Sequence, residues 1–225
     1  LSYGVPYWGT DSKTGKKAVK GRGSMVIFDP KGENWEASAG YRSRFSTCIP
    51  FRPLDPDGDT AHYNPIHEIP DSPSEAFSWA DMIAEIFFGA ENAKAASDGA
   101  TQYFNNTARD IFAGVVMHVR FCRYIAWKDK NLSTVLDIFS QASSDDSKGD
   151  DEESGGPGSA MLAQMREEGV HVDDSGHESP LIHELIVKAA NRSETQTPKE
   201  RASTYSTVFS KISLFQDPLL KNATA

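Results

Sequence analysis

TQYFNNTARDIFAGVVMHVRFCRYIAW, residues 101–127, is the stretch that decides the fold. Phe104, Ala108, Ile111, Phe112, Val115, Val119 and Cys122 recur in it at three- and four-residue spacing, with no proline between them. That period lines one face of a helix, and a stripe this long predicts the central helix of a bundle. Its neighbours in sequence agree. Ser72-Pro73-Ser74-Glu75 has the form of a capping box with proline at the first helical position. Phe77, Ala80, Ile83, Ala84 and Phe87 follow at helical spacing, and Gly89 is expected to end that helix. Downstream, Ser133 to Phe139, Ala160 to Glu168 and Pro180 to about Asn191 predict shorter helices. Thr197-Pro198-Lys199-Glu200 opens a further one through Tyr205, Val208, Ile212 and Phe215, stopping before Asp217-Pro218. Everything after residue 72 therefore reads as helical.

The front of the chain follows a different pattern. Tyr3 to Gly23 carries five glycines among polar and basic residues without a period, which predicts a long surface loop. Ser24-Met25-Val26-Ile27-Phe28 is a short apolar run stopped by Asp29-Pro30-Lys31-Gly32, the profile of a strand buried on both faces. A short helix from Glu33 to about Arg42 and a second apolar run, Thr47 to Phe51, complete an expected βαβ unit. Pro53 to Pro73 holds five of the twelve prolines and reads as a connector.

With 225 residues and 38% hydrophobic composition the chain can bury a real core. No run approaches the roughly 18 consecutive apolar residues of a membrane span, and Leu1-Ser2-Tyr3 opens no signal-peptide pattern. Cys48 and Cys122 sit in apolar runs, so two buried thiols in a reducing setting are expected. The formal net charge of −9 is unevenly spread. Residues 1–44 carry eight basic against four acidic side chains, whereas residues 141–179 carry eleven acidic against two basic. Such a chain is a poor stand-alone binder of a phosphate backbone. Gln141 to Ser159, acidic and glycine-rich, cannot bury enough surface to offset its ordering entropy and is expected to be a mobile loop.

Few constellations carry chemistry. Gly9 to Lys17 has five residues between its glycines and no hydroxyl after the lysines, and it does not follow an apolar strand, so it departs from a phosphate-cradling loop. His171, His177 and His183 are six apart, a spacing that matches neither a helical face nor a zinc turn, and surface histidines are expected; no metal site is predicted. His118 is expected at the edge of the core or exposed. No catalytic nucleophile has supporting context. Asp29, Lys31 and Glu33 stand out because they sit at the carboxyl end of an expected strand, where open α/β sheets place their ligand crevice.

Several stretches together resemble the TraG type of type IV secretion coupling protein. They are Ser24-Met25-Val26-Ile27-Phe28-Asp29-Pro30-Lys31-Gly32-Glu33-Asn34, Ala39-Gly40-Tyr41-Arg42, Tyr63-Asn64-Pro65-Ile66, Ala108-Arg109-Asp110-Ile111-Phe112, and Ser206-Thr207 through Leu214-Phe215-Gln216-Asp217-Pro218 to Ala223-Thr224. Members of that family are hexameric, inner-membrane-anchored P-loop ATPases that receive DNA–protein substrates for conjugation or secretion. The resemblance implies a mainly α chain: a helical bundle, the family's all-α domain, inserted into a partial α/β motor domain. Residues 1–62 would belong to the motor, 63–220 to the all-α domain, and 221–225 to the return. Tyr3 to Gly23 and Gln141 to Ser159 are insertions relative to the family pattern.

The resemblance further implies that the chain starts just past the nucleotide loop and stops before the Walker B strand. It would then need no cofactor of its own and would not hydrolyse ATP, with ATP and Mg²⁺ held by the intact protein. Asp29, Lys31 and Glu33 would lie near the nucleotide or a neighbouring subunit. The expected partners are a relaxase, a relaxosome accessory protein or a secreted effector, with Asp145, Asp146, Asp150, Asp151, Glu152 and Glu153 steering a basic partner. Direct DNA binding would be weak or absent. The expected place is the cytoplasmic face of the inner membrane, with membrane attachment supplied by an N-terminal part and a monomer for this stretch alone. The rival reading is another hexameric DNA-translocating ATPase, such as a chromosome translocase or HerA-like motor, which would not be expected to carry a large helical insert here.

Overall fold

The computed structural model describes residues 7–10, 17–21, 25–44, 46–92, 99–144, 156 and 158–225. They divide into two compact units, residues 1–50 and residues 51–225.

In the first unit, β1 (Tyr7–Thr10) and β2 (Lys17–Gly21) pair antiparallel, with Trp8 opposite Val19 and an irregularity at Tyr7/Trp8. The expected surface loop is therefore in part a hairpin. Tyr, Trp and Val favour extended backbone, but two strands this short leave almost no period to read. The expected βαβ unit is not formed. Helix α1 (Glu33–Arg42) is present, with Glu33 and Glu36 in its first turn and Arg42 in its last, the arrangement its macrodipole favours. Residues 25–28 and 47–51, however, form no strand. A parallel strand buried on both faces needs a neighbour on each side, and none of the described residues supplies one. Val26 and Phe28 are accordingly 102% and 89% exposed.

The second unit is a bundle of seven helices among the described residues: α2 (Pro73–Asn92), α3 (Gly99–Phe121), α4 (Leu132–Ser144), α5 (Ser159–Arg166), α6 (Pro180–Glu194), α7 (Pro198–Ile212) and α8 (Pro218–Ala223). Helix α3 is its axis, packing against α2, α4, α6 and α7. All ten residues from Ile111 to Arg120 are buried, so this helix is enclosed all round instead of lying on a surface. Phe88 and Phe87 meet Phe112 with ring centroids 5.6 Å apart, and Phe139 meets Tyr205 at 5.7 Å, which ties α2, α3, α4 and α7 into one core.

Two helix ends differ from the sequence expectation. Helix α2 continues through Gly89 to Asn92, since one glycine costs only about 1 kcal/mol in a helix whose packing is otherwise good. Helix α3 stops at Phe121, short of Trp127. There the chain turns into an isolated antiparallel bridge, Cys122 with His171, in which Arg123 N donates to Val170 O and Val172 N to Phe121 O. At α7 the capping box forms as expected: Glu200 N donates to Thr197 Oγ1, and Thr197 N to the Glu200 carboxylate. Asp217 caps α8 by accepting from Leu219 N at 2.8 Å. Both cysteines are free; Cys122 is buried and Cys48 half-buried.

Candidate functional site

The Asp29–Glu33 turn in the first unit is built as a helix start. Gly32 takes the left-handed conformation, φ 77°, which glycine adopts without strain, and its N–H donates to Asp29 O. The Asp29 carboxylate accepts from Trp35 N at 2.9 Å and from Asn34 Nδ2 at 3.2 Å. The Trp35 bond, foremost, holds the Asp29 carboxyl below the usual carboxylate range. Lys31 and Glu33 are exposed beside it. A shallow, open depression of about 420 Å³ lies along α1 between Trp35, Ala39 and Cys48, and the three predicted residues do not line it. Within this turn the Asp29 carboxylate is engaged by the start of α1, and Lys31 carries its positive charge. Gly9 to Lys17 joins two antiparallel strands, whereas a phosphate-cradling loop joins a strand to a helix.

The acidic residues Asp145, Asp146, Asp150, Asp151, Glu152 and Glu153 lie outside the described residues.

In the second unit the structure assembles polar groups that the sequence left scattered. Arg120, 3% exposed, donates from Nη1 and Nη2 to the two carboxylate oxygens of Asp174 at 2.7 and 2.9 Å, from Nη2 to Asp71 at 3.3 Å, and from Nε to Ile69 O at 3.0 Å. Lys130 Nζ donates to Arg120 O at 2.7 Å, and Asn64 Nδ2 donates to Lys130 O at 2.9 Å. The Arg120 guanidinium also lies 5.1 Å from the centroid of Trp127, whose ring stacks on His67 at 4.1 Å. One side chain of α3 thus fixes the connector, the turn after α3 and the 170s segment.

Beside it, three histidines form a chain. His118 Nδ1 is 2.8 Å from His171 Nε2, and His171 Nδ1 is 2.8 Å from His183 Nδ1. His118 and His171 are 3% and 1% exposed, which corrects the expectation of surface or core-edge histidines; His183 is half-buried and His177 exposed. Burial pushes the His118 pKa down to about 4 and that of His171 to about 3. The chain joins α3, the 170s segment and α6. Among the described residues no group of three or more His, Cys, Asp or Glu side chains is placed to hold a metal ion.

The motif stretches quoted above have definite structural roles here. Asn64 of Tyr63-Asn64-Pro65-Ile66 is buried and also accepts from Ile66 N. Arg109 bridges to Asp81 at 2.7 Å and Glu85 at 3.0 Å, and Asp110 pairs with Arg192. A family model described as "Type IV secretory system Conjugative DNA transfer" matches residues 17–225. This chain belongs to that conjugative DNA transfer family. The match covers both units of the coupling protein from β2 onward and runs through the Asp29 turn, α3 and the Asp217 cap. Neither the curated proteins nor the solved structures contain a match to it. Among its described residues no helix is long and apolar enough to cross a membrane.

Proposed function

We propose that residues 63–220 form the substrate-receiving all-α domain of the coupling protein, presenting helix faces to a relaxase, a relaxosome accessory protein or a secreted effector. The observation that carries this reading is the hydrogen bond from Tyr63 N to Ala223 O, 2.9 Å, which brings the entry and exit of the helical unit side by side. A domain inserted into another must begin and end at nearly the same place. Family membership supports the same role, and so does a helical unit with its own continuous core.

On this reading residues 1–62 and 221–225 belong to the motor, and the exposed apolar stretches 25–28 and 47–51 pair with strands of its sheet. Force for transfer comes from ATP and Mg²⁺ bound by the P-loop motor, and the helical unit contributes recognition. The intact protein is a hexamer at the cytoplasmic face of the inner membrane, and this chain by itself is a monomer without ATPase activity. The test is an affinity pull-down from lysate of the host, with the purified chain as bait and mass spectrometry of the eluate. Recovery of a relaxase, accessory protein or effector is expected. Recovery of no conjugation or secretion protein overturns the receptor role of this unit.

A further inference from the structure

The surface between α2 and α6 changes character along its length. At the N-terminal ends of both helices, Phe77 of α2 and Leu181 and Leu185 of α6 line a groove of about 370 Å³ with Ser78 on its wall. Phe77 and Leu181 are 48% and 62% exposed, so apolar surface is left uncovered there. Glu184 and Lys188 of α6 line the same groove and pair at 2.7 Å. Steps of three and four residues continue these faces from Phe77 to Asp81 and Glu85, and from Leu185 through Lys188 to Arg192. At that level α3 supplies Arg109 and Asp110, which pair with Asp81, Glu85 and Arg192. Four carboxylates thus stand against three cations along this strip, counting Glu184 with Lys188. Burial raises the Asp110 pKa even though Arg192 and Arg109 stand beside it and act to lower it.

We infer that the α2/α6 groove docks an amphipathic helical segment of a protein partner, its apolar residues seated between Phe77 and Leu181 and a basic residue reaching the carboxylate-rich end at Asp81, Glu85 and Asp110. This rests on the receptor reading and gives it a site. The eight residue steps from Phe77 to Glu85 span about 12 Å of helix, so three turns of a partner helix cover the groove from its apolar to its charged end. Apolar burial supplies the affinity, and the excess of carboxylates sets the sign and direction of the bound segment.

The test uses the full chain and a fluorescent synthetic helix of about 15 residues, with leucines at i and i+4 and lysines one and two turns further on. Fluorescence anisotropy should show saturable binding that weakens with salt. Leu181→Asp and Phe77→Asp should each weaken it by about tenfold or more, and circular dichroism should confirm retained helicity, since both side chains are about half exposed. A peptide with glutamates in place of the lysines should not bind. Equal binding by Leu181→Asp, equal binding of the acidic peptide, or no saturable binding overturns the proposal. So does a wild-type dimer in sedimentation that Leu181→Asp dissolves, because the occupant is then a second copy. Pull-down with the Leu181→Asp bait separates the two readings. If it recovers the same conjugation protein as the wild type, the groove fails and the receptor role stands. If the peptide binds but no conjugation protein is recovered by the wild type, the receptor role fails and the groove stands.

Discussion

Arg120 and Asp174 form a bidentate pair in which the cation is 3% exposed and the carboxylate side chain 54% exposed. The asymmetry decides which partner is costly to lose. Removing Asp174 leaves a buried guanidinium with Asp71 as its only carboxylate, whereas removing Arg120 leaves two carboxylates that water can reach. Asp174→Ala is expected to destabilise by about 2 kcal/mol. Asp71→Ala with Asp174→Ala should cost more than the sum of the single variants, because only the double variant takes both carboxylates from Arg120 and leaves it the Ile69 carbonyl. Urea unfolding of the four proteins measures this, and simple additivity refutes the shared role. The Arg120 hydrogen bond also lowers the Asp174 pKa, so its contribution is present at neutral pH and is lost as pH falls through that lowered value.

The histidine chain gives a second pH dependence with its own window. His118 and His171 titrate at about 4 and about 3 in the folded protein against 6.5 when unperturbed. Below pH 6.5 the unfolded chain takes up protons that the folded chain refuses. Stability should therefore fall from about pH 6.5 down to about pH 4, by up to about 1.4 kcal/mol per pH unit for each histidine. Unfolding free energies at about pH 6.5, 5.5 and 4.5 (one-unit steps across the window) should show the slope, and His118→Leu/His171→Leu should flatten it. The slope is the readout because it does not depend on the starting stability of the variant. An unchanged slope would mean that the imidazoles are not buried as described.

How much was legible in sequence follows from whether a signal is local. The stripe from Ala108 to Cys122 announced α3 because a helix repeats its face every three or four residues. The pairing of His118 with His171, 53 positions apart, leaves no such trace, and neither does the grip of Arg120 on Asp71 and Asp174. In α2 the period was right but its facing was shifted. Ala76, Ala80 and Ala84 are 0% exposed while Phe77 is half exposed, because the small side chains let α2 approach α3 closely and push the larger ring to the border. The apolar runs at 25–28 and 47–51 read as strands because composition reports what a segment can pair with, not whether the partner is there.

Asp29 separates a structural from a chemical role at the position the sequence singled out. Its carboxylate accepts from Trp35 N, so Asp29→Ala should fray the first turn of α1. Hydrogen exchange at the Trp35 amide should quicken in the variant, and Asp29→Asn should retain part of the protection, since its amide oxygen can still accept. Unchanged exchange would refute the capping role.

Gly114 lies where α3 and α6 cross. A Cβ built there would stand 2.5 Å from Ala189 Cβ and 3.4 Å from Met165 Cε, well inside van der Waals contact with the first. Alanine is the better helix former by about 1 kcal/mol, so on propensity alone Gly114→Ala should stabilise. The steric term outweighs it, because the obstructing atom belongs to a short side chain that cannot swing aside and the helices must move apart. Gly114→Ala is expected to cost about 1 to 3 kcal/mol net, and Gly114→Val more. Ala189→Gly removes the obstructing atom at the price of its own helix propensity, about 1 kcal/mol. In the Gly114→Ala background it should cost much less than that or restore stability, giving a favourable coupling of about 1 kcal/mol or more in a double-mutant cycle. Additive effects would show that the helices absorb the methyl group by sliding, and that the close crossing of α3 and α6 is not what fixes glycine here.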